Sequence, residues 1–351
     1  MKETTPEWSP GDLLLRASLL ALLLGMACFT PKQAALAPLS NRPSAAKAPG
    51  AGPDPSAPPR ETAMATRPNI PFKTLGGKQF WADERVCSEW RIQRNTLTGH
   101  CRLLDPDDVR RAWGDYDACD AKFDALRQSG VIPTPATDTV ILLHGIWRAK
   151  ESMRPLRNAL RADGYEVVNL SYPSTQGSIE EHAAQLSRVI TRLEGAERIS
   201  FVTHSMGGLV VRRYLQDTQD SRIGRFVMIA PPNHGASLAD WLDNAKVFRP
   251  VFGPAGPELR TDAKSAMAEL AVPACEFGVI AGGKGDGKGF NPLLHGDNDM
   301  TVEVESAKLD GMADFLLVRR IHTVIMKAPE TIEAVKRFLK VGRFWEEETT
   351  N

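Results

Sequence analysis

From residue 138 onward, short unbroken apolar runs alternate with longer amphipathic stretches, and this alternation restricts the fold more than any other feature. Val140-Ile141-Leu142-Leu143 offers no polar residue to turn toward water, so a strand there is buried on both faces. The same pattern predicts strands at 166–170, 199–202, 226–229, 277–280 and 315–318. Helices are expected near 151–163, 178–194 and 206–217. A last helix starts near Pro329, with Ile332, Val335, Phe338 and Leu339 on one face. Repeated strand–helix units joined by right-handed crossovers make a mostly parallel sheet with helices on both faces, an α/β fold. Ligands on such sheets bind beyond the carboxyl ends of the strands, so the chemistry is expected there.

The first 135 residues read differently. Ala17 to Phe29 is an uncharged apolar run of 13 residues, the length of a secretory core and short of the ~20 residues a spanning helix needs. Ala35-Leu36-Ala37 follows as a cleavage-like site, with an uncleaved anchor or acylation at Cys28 as alternatives. Residues 31–60 hold eight Pro and eight Ala, too little apolar surface to offset ordering, and read as an extended tether. Residues 78–104 are β-rich, with Trp90-Arg91-Ile92-Gln93-Arg94 alternating and Thr98-Gly99 as a turn. Asp105-Pro106-Asp107-Asp108 is expected to open a helix running to about Ser129-Gly130. The resulting organisation is 1–30 signal peptide or anchor, 31–69 linker, 70–135 α+β extension and 136–345 main α/β domain. An export-type segment followed by a tether points to an extracytoplasmic location and to membrane association through the N-terminus.

Lys+Arg 43 against Asp+Glu 43 gives no basic excess, which removes the electrostatic case for a nucleic-acid partner. Cys87, Cys101, Cys119 and Cys275 either form disulfides or are reduced core thiols; no Cys-x-x-Cys occurs. Nothing in the sequence specifies an oligomeric state.

The most informative stretch is Phe201-Val202-Thr203-His204-Ser205-Met206-Gly207-Gly208. A strand runs into Ser205 and a helix leaves after it, so the serine sits on a sharp turn with its hydroxyl clear of the sheet. Thr203 replaces the first glycine of the usual Gly-x-Ser-x-Gly pattern. The alternative, a plain serine N-cap, loses ground to two further blocks. One is Leu142-Leu143-His144-Gly145-Ile146-Trp147, which follows the first strand. Its Ile146 amide and the Met206 amide are the expected pair of oxyanion donors, and His144 is expected to pack beneath the loop. The other is an acid and a base in chain order after the serine. His322 lies between the last strand and the last helix. Asp299 is favoured over Asp297 because it directly precedes the strand-like Thr301-Val302, with Asp310 also open.

These three blocks resemble the lipase/esterase branch of the α/β-hydrolase superfamily, as in secreted bacterial lipases, over about residues 138–341. Met228-Ile229-Ala230-Pro231-Pro232-Asn233-His234-Gly235 is similar to a further loop of that family. The family's acid usually precedes a glycine, and Met300 stands there instead. The resemblance implies an α/β-hydrolase fold, with Ser205 as nucleophile, His322 as general base and acid, and Asp299 holding the imidazole. It implies acyl or lipid esters as substrates and chemistry without a metal or organic cofactor. Acyl transfer, thioester or amide cleavage with the same residues, and a non-catalytic surface-binding protein, are the alternatives. Residues 235–270 form a long connection with Trp241, Phe248, Val251 and Phe252, expected as an apolar lid or sheet-edge cover. Trp147, Trp241, Phe248 and Phe252 are the candidate substrate-binding side chains. Lys284-Gly285-Asp286-Gly287-Lys288-Gly289 is expected as a flexible loop at the pocket rim.

Overall fold

A computed structural model describes residues 78–237, 239, 253–259, 261 and 270–345. The expected signal segment with Cys28, the Pro/Ala linker, most of the lid, and Trp241, Phe248 and Phe252 lie outside the described residues. The chain divides into two units, Met1–Pro68 and Asn69–Asn351; all the described residues fall in the second.

The described residues of that unit form two sheets. The first is an antiparallel meander of β1 (Trp81–Cys87), β2 (Trp90–Asn95), β3 (Cys101–Leu104) and β4 (Arg110–Gly114). Ser88 and Glu89, at φ 46° and 70°, make the two-residue turn between β1 and β2, the mirror-image geometry that suits strand twist. Helix α1 (Tyr116–Gln128) closes one face. Trp90, Ile92, Cys101, Leu103, Cys119, Phe123 and Ile132 form the core between them. The four described cysteines are free thiols, and burial raises the Cys119 thiol to about 12. Thr98-Gly99 is a turn as expected, with the Gly99 amide donating to the Asn95 carbonyl at 2.9 Å.

The helix expected from Asp105 is a correction. The Asp105 carboxylate accepts from the amides of Asp107 and Val109, which closes a side-chain turn instead of capping a helix. Asp108 sits at φ 60°, a conformation no helix continues through, and residues 110–114 pair with β3 as β4. The helix starts only at Tyr116, where the Asp115 side chain accepts from the Ala118 amide as N-cap. Two acidic Asx-type positions ten residues apart look alike in sequence; pairing with β3 decides between them.

The second sheet has six strands, all parallel, in the order β10-β9-β8-β7-β5-β6. They are β5 (Asp138–Leu143), β6 (Glu166–Asn169), β7 (Arg198–His204), β8 (Ile223–Ile229), β9 (Phe277–Gly282) and β10 (Asp314–Val318). The helices between them are α2 (Arg154–Ala162), α3 (Ile179–Thr191), α4 (Met206–Gln216), the short α5 (Val304–Ala307) and α6 (Pro329–Val341). Helix α3 opens on a reciprocal capping box, in which the Ser178 side chain accepts from the Glu181 amide and the Glu181 side chain accepts from the Ser178 amide. Val140, Leu142, Val202, Val227, Ile280, Val335 and Phe338 belong to one continuous buried cluster. Strand β5 pairs with β6 on one side and β7 on the other, so the direction of winding reverses there. In open α/β sheets such a reversal is where ligands bind, and here it puts His144-Gly145 and Ser205 at the carboxyl ends of the neighbouring strands β5 and β7. Among the described residues no helix is long and apolar enough to cross a membrane.

Candidate active site

A single residue makes the transition from β7 to α4. Ser205 adopts φ 54° and ψ −129°, a strained conformation for a non-glycine residue that costs roughly 1–3 kcal/mol. Its amide continues the sheet ladder to the Ile229 carbonyl at 2.9 Å, while its own carbonyl accepts from the Gly208 amide at 2.9 Å. The turn needs close backbone approach on both sides. A Cβ on Gly207 would lie 2.8 Å from the Leu143 carbonyl oxygen, so no larger residue fits between helix and strand. A Cβ on Gly145 would lie 2.9 Å from the Ser205 Cβ, which sets the loop after β5 directly beside the serine. Thr203 fits fully buried below the turn, and its hydroxyl has no hydrogen-bond partner among the described residues.

His322 arrives from the far side of the sheet order. Its Nε2 lies 3.0 Å from Ser205 Oγ, and its Nδ1–H donates to Asp299 Oδ2 at 2.7 Å. The acid and base loops are also joined through backbone: the His322 amide donates to the Asp299 carbonyl at 2.8 Å. The second Asp299 oxygen accepts from the amides of Thr301 at 3.0 Å and Val302 at 2.8 Å. These donors keep the carboxylate turned toward the imidazole.

Asp299, not Asp297 or Asp310, is therefore the carboxylate beside His322. The reason differs from the expected one, since Thr301-Val302 is a bend and not a strand. Asp297 instead accepts from the amides of Lys284 and Gly285, both at 2.7 Å. Asp286 accepts from those of Lys288 and Gly289. The glycine-rich segment is thus fastened at its start to Asp297 and turns on its own Asp286. Met300 takes φ 85°, the left-handed region where glycine is at home. Asn298 Oδ1 accepts from its amide, and Asn291 Nδ2 donates to its carbonyl, both at 3.1 Å. This fastening explains how a methionine stands in the glycine position.

The loop after β5 closes as a turn, with the Arg148 amide donating to the Gly145 carbonyl at 3.1 Å. Ile146 is its first central residue. Trp147, the second, sits at φ 60° and is about half exposed (41%). Met206 is the first residue of α4, and the opening N–H groups of a helix have no acceptor within it.

Three other imidazoles surround the site, all deprived of water. His144 lies beneath the loop, where its Nδ1–H donates to the Gly145 carbonyl at 2.9 Å and burial pushes its pKa down to about 4. Its ring stacks on Tyr172 at 4.3 Å, and the Tyr172 hydroxyl donates to the His144 carbonyl. His182 on α3 packs edge-on against the same Tyr172, and burial lowers it to about 4 as well. Burial, with His322 adding a smaller repulsion, holds His204 well below the ordinary histidine value. Its Nε2–H donates to the His322 carbonyl at 3.0 Å, so the residue before the serine tethers the base loop. The sequence singled out neither Tyr172 nor this tether; the only available signal for Tyr172 is its place just beyond the end of β6.

Among the described residues no cluster of His, Cys, Asp or Glu is placed to hold a metal. A groove of about 640 Å³ between β10 and α6, bordered by Arg319, Lys340 and Trp345, includes none of the residues around Ser205.

A parallel sheet with a strained serine between strand and helix, hydrogen-bonded to an imidazole and through it to a carboxylate, defines the hydrolase class of α/β proteins. The chain belongs to the alpha/beta hydrolase family, whose model matches residues 140–338, more than half its length. It is similar in fold to a mature lipase of Bacillus licheniformis, BlEst2. The two share 19% identity over 60% of this chain and 94% of that one, with a TM-score of 0.48. A metagenomic carboxyl esterase, MGS0156, is 20% identical over 55% and 68%, with a TM-score of 0.44. The phospholipase PlaB of Legionella pneumophila is 19% identical over 49% and 44%, with a TM-score of 0.41. At these identities and scores the likenesses carry nothing about substrate. No curated protein sequence matches the chain.

Proposed function

We propose that the protein is a serine hydrolase that cleaves carboxylic esters of acyl or lipid type through an acyl-enzyme. The observation that carries this reading is the continuous relay of Ser205 Oγ, His322 and Asp299 at 3.0 and 2.7 Å, set on a strained turn. Ser205 Oγ attacks the ester carbonyl while His322 Nε2 takes its proton. Asp299 holds the Nδ1–H tautomer and stabilises the imidazolium that forms. The amides of Ile146 and Met206 receive the developing oxyanion. The alcohol leaves with the proton from His322, and water, deprotonated by the same imidazole, releases the acid. Trp147, in the loop after β5 and half exposed, is the described candidate for holding an acyl chain. Trp241, Phe248 and Phe252 are the further candidates in the lid segment. The apolar run at 17–29 and the tether after it support an extracytoplasmic location with the N-terminus as signal or anchor.

The test is labelling of the full chain with a fluorophosphonate probe, followed by a chain-length series of p-nitrophenyl acyl esters. Ser205→Ala is expected to abolish labelling and to lower ester cleavage by more than about 10⁴-fold. Retention of activity in that variant sinks the proposal.

A further inference from the structure

The antiparallel meander of residues 81–114 lies outside the segment that matches the family model, yet it reaches the loop that carries Ile146. The link is Gln79, just before β1. Its carboxamide bridges two loops at the carboxyl edge of the parallel sheet. Nε2 donates to the Arg148 carbonyl at 2.9 Å. Oε1 accepts from the Thr175 amide at 3.3 Å, the Thr175 hydroxyl at 3.2 Å and the Ser174 hydroxyl at 3.3 Å. Arg148 is the residue that closes the turn Gly145–Arg148, with Ile146 in the middle and Trp147 in a left-handed conformation. A non-glycine residue at that position is strained, so the turn depends on contacts from outside itself.

The meander supplies several of those contacts. Lys150, two residues further on, is paired through Nζ with Asp108 at 2.8 Å, and its carbonyl accepts from Asn169 Nδ2 at 2.8 Å. The Asp83 amide donates to the Ser171 carbonyl at 2.9 Å, and Asp83 Oδ2 accepts from the Ser171 amide at 2.7 Å. Ser171 precedes Tyr172, whose hydroxyl donates to the His144 carbonyl on the near side of the turn. The loop is thus gripped at His144, Arg148 and Lys150, and each grip leads back to the meander or to a loop the meander holds.

We infer that the N-terminal meander is a working part of the active site, and that Gln79 is a positioning residue for the oxyanion loop. The inference rests on the proposed role of Ser205 and the Ile146 amide. An oxyanion donor acts only if it is already aimed when charge develops, and displacement by about 1 Å costs up to 10²-fold in rate. Loss of the Gln79 bridge frees the Arg148 end of the turn and leaves the nucleophile, base and acid untouched.

The test compares Gln79→Met, which keeps the chain length without polar atoms, and Gln79→Glu, which keeps the acceptor but has no donor for Arg148. Both are made in the full chain, with Glu89→Gln as a control. Glu89 pairs with Arg157 and Arg161 and fastens the meander without touching the loop. Both Gln79 variants are expected to lose about tenfold in kcat with KM within twofold. Inhibition by an alkyl boronic acid, which forms a tetrahedral adduct on Ser205, is expected to weaken by the same factor. Glu89→Gln is expected to lower the melting temperature and leave kcat unchanged. Unchanged kcat in a folded Gln79 variant overturns the inference, as does an equal kcat loss in Glu89→Gln. If Gln79→Met does not fold, Gln79→Glu alone decides. A wild-type chain that cleaves no ester rejects the proposed function instead, so the two failures are told apart.

Discussion

In the parallel sheet, Val140, Ile141, Leu142, Phe201, Val202, Val227 and Ile280 are buried, and the polar side chains buried with them, such as Ser200 and Thr203, carry no charge. In the antiparallel meander, β1 and β2 bring Asp83, Glu84, Arg91 and Gln93 into the interior as well. Asp83 Oδ2 pairs with Arg91 at 2.8 Å and Oδ1 with Gln93 at 2.8 Å, and Gln185 on α3 donates to the Asp83 carbonyl at 3.0 Å. Glu84 meets Arg94, Arg188 and Arg192. A dry interface gains stability in proportion to the area it buries. A buried polar interface gains little net energy but allows only one docking geometry, because any other leaves a charge unpaired. The meander is therefore suited to hold a loop in place, and the parallel sheet to provide the platform.

The comparison breaks first at Asp83. Asp83→Ala strands Arg91 and frees the Ser171 amide, and a stability loss of about 3–5 kcal/mol is expected by urea unfolding. A loss below about 1 kcal/mol means that the meander is not held through this network.

Acid sharpens it next. His144 and His182, both at about 4 in the fold and about 6.5 when unfolded, belong to the parallel-sheet region; the meander's single histidine is His100. Between those values the unfolded chain binds more protons than the folded one. Their contribution is fully present above about pH 6.5 and is lost as pH falls toward 4, at up to about 1.4 kcal/mol per pH unit for each histidine. Hydrogen exchange at pH 7 and 4.5 is expected to show residues 144–182 opening before β1–β4. The reverse order removes the assignment.

The smallest effect is at Thr203. Its buried hydroxyl has no partner among the described residues, so Thr203→Val is expected to be neutral or to stabilise by up to about 1 kcal/mol, read as a melting-temperature shift. A clear destabilisation shows that the hydroxyl is bonded in solution.

Much of the parallel sheet is legible because each strand announces itself locally, as β5 does with four consecutive aliphatic residues. The Ser205 turn is legible because strand and helix meet at one residue with glycines behind it. The misread helix at Asp105 shows the limit: an acidic side chain that can cap a helix can equally close a turn. The favoured Asp299 stands beside His322, but for a reason other than the strand expected after it.

Chain order and local periodicity by themselves determined the parallel sheet and the loops that carry Ser205, Asp299 and His322, since both are properties of neighbouring residues. Only the tertiary structure decided that Asp299 and not Asp297 faces His322, and that Gln79 meets a carbonyl 69 residues away. Those outcomes depend on side-chain direction and on which distant backbone groups are left seeking a partner. No local pattern encodes either.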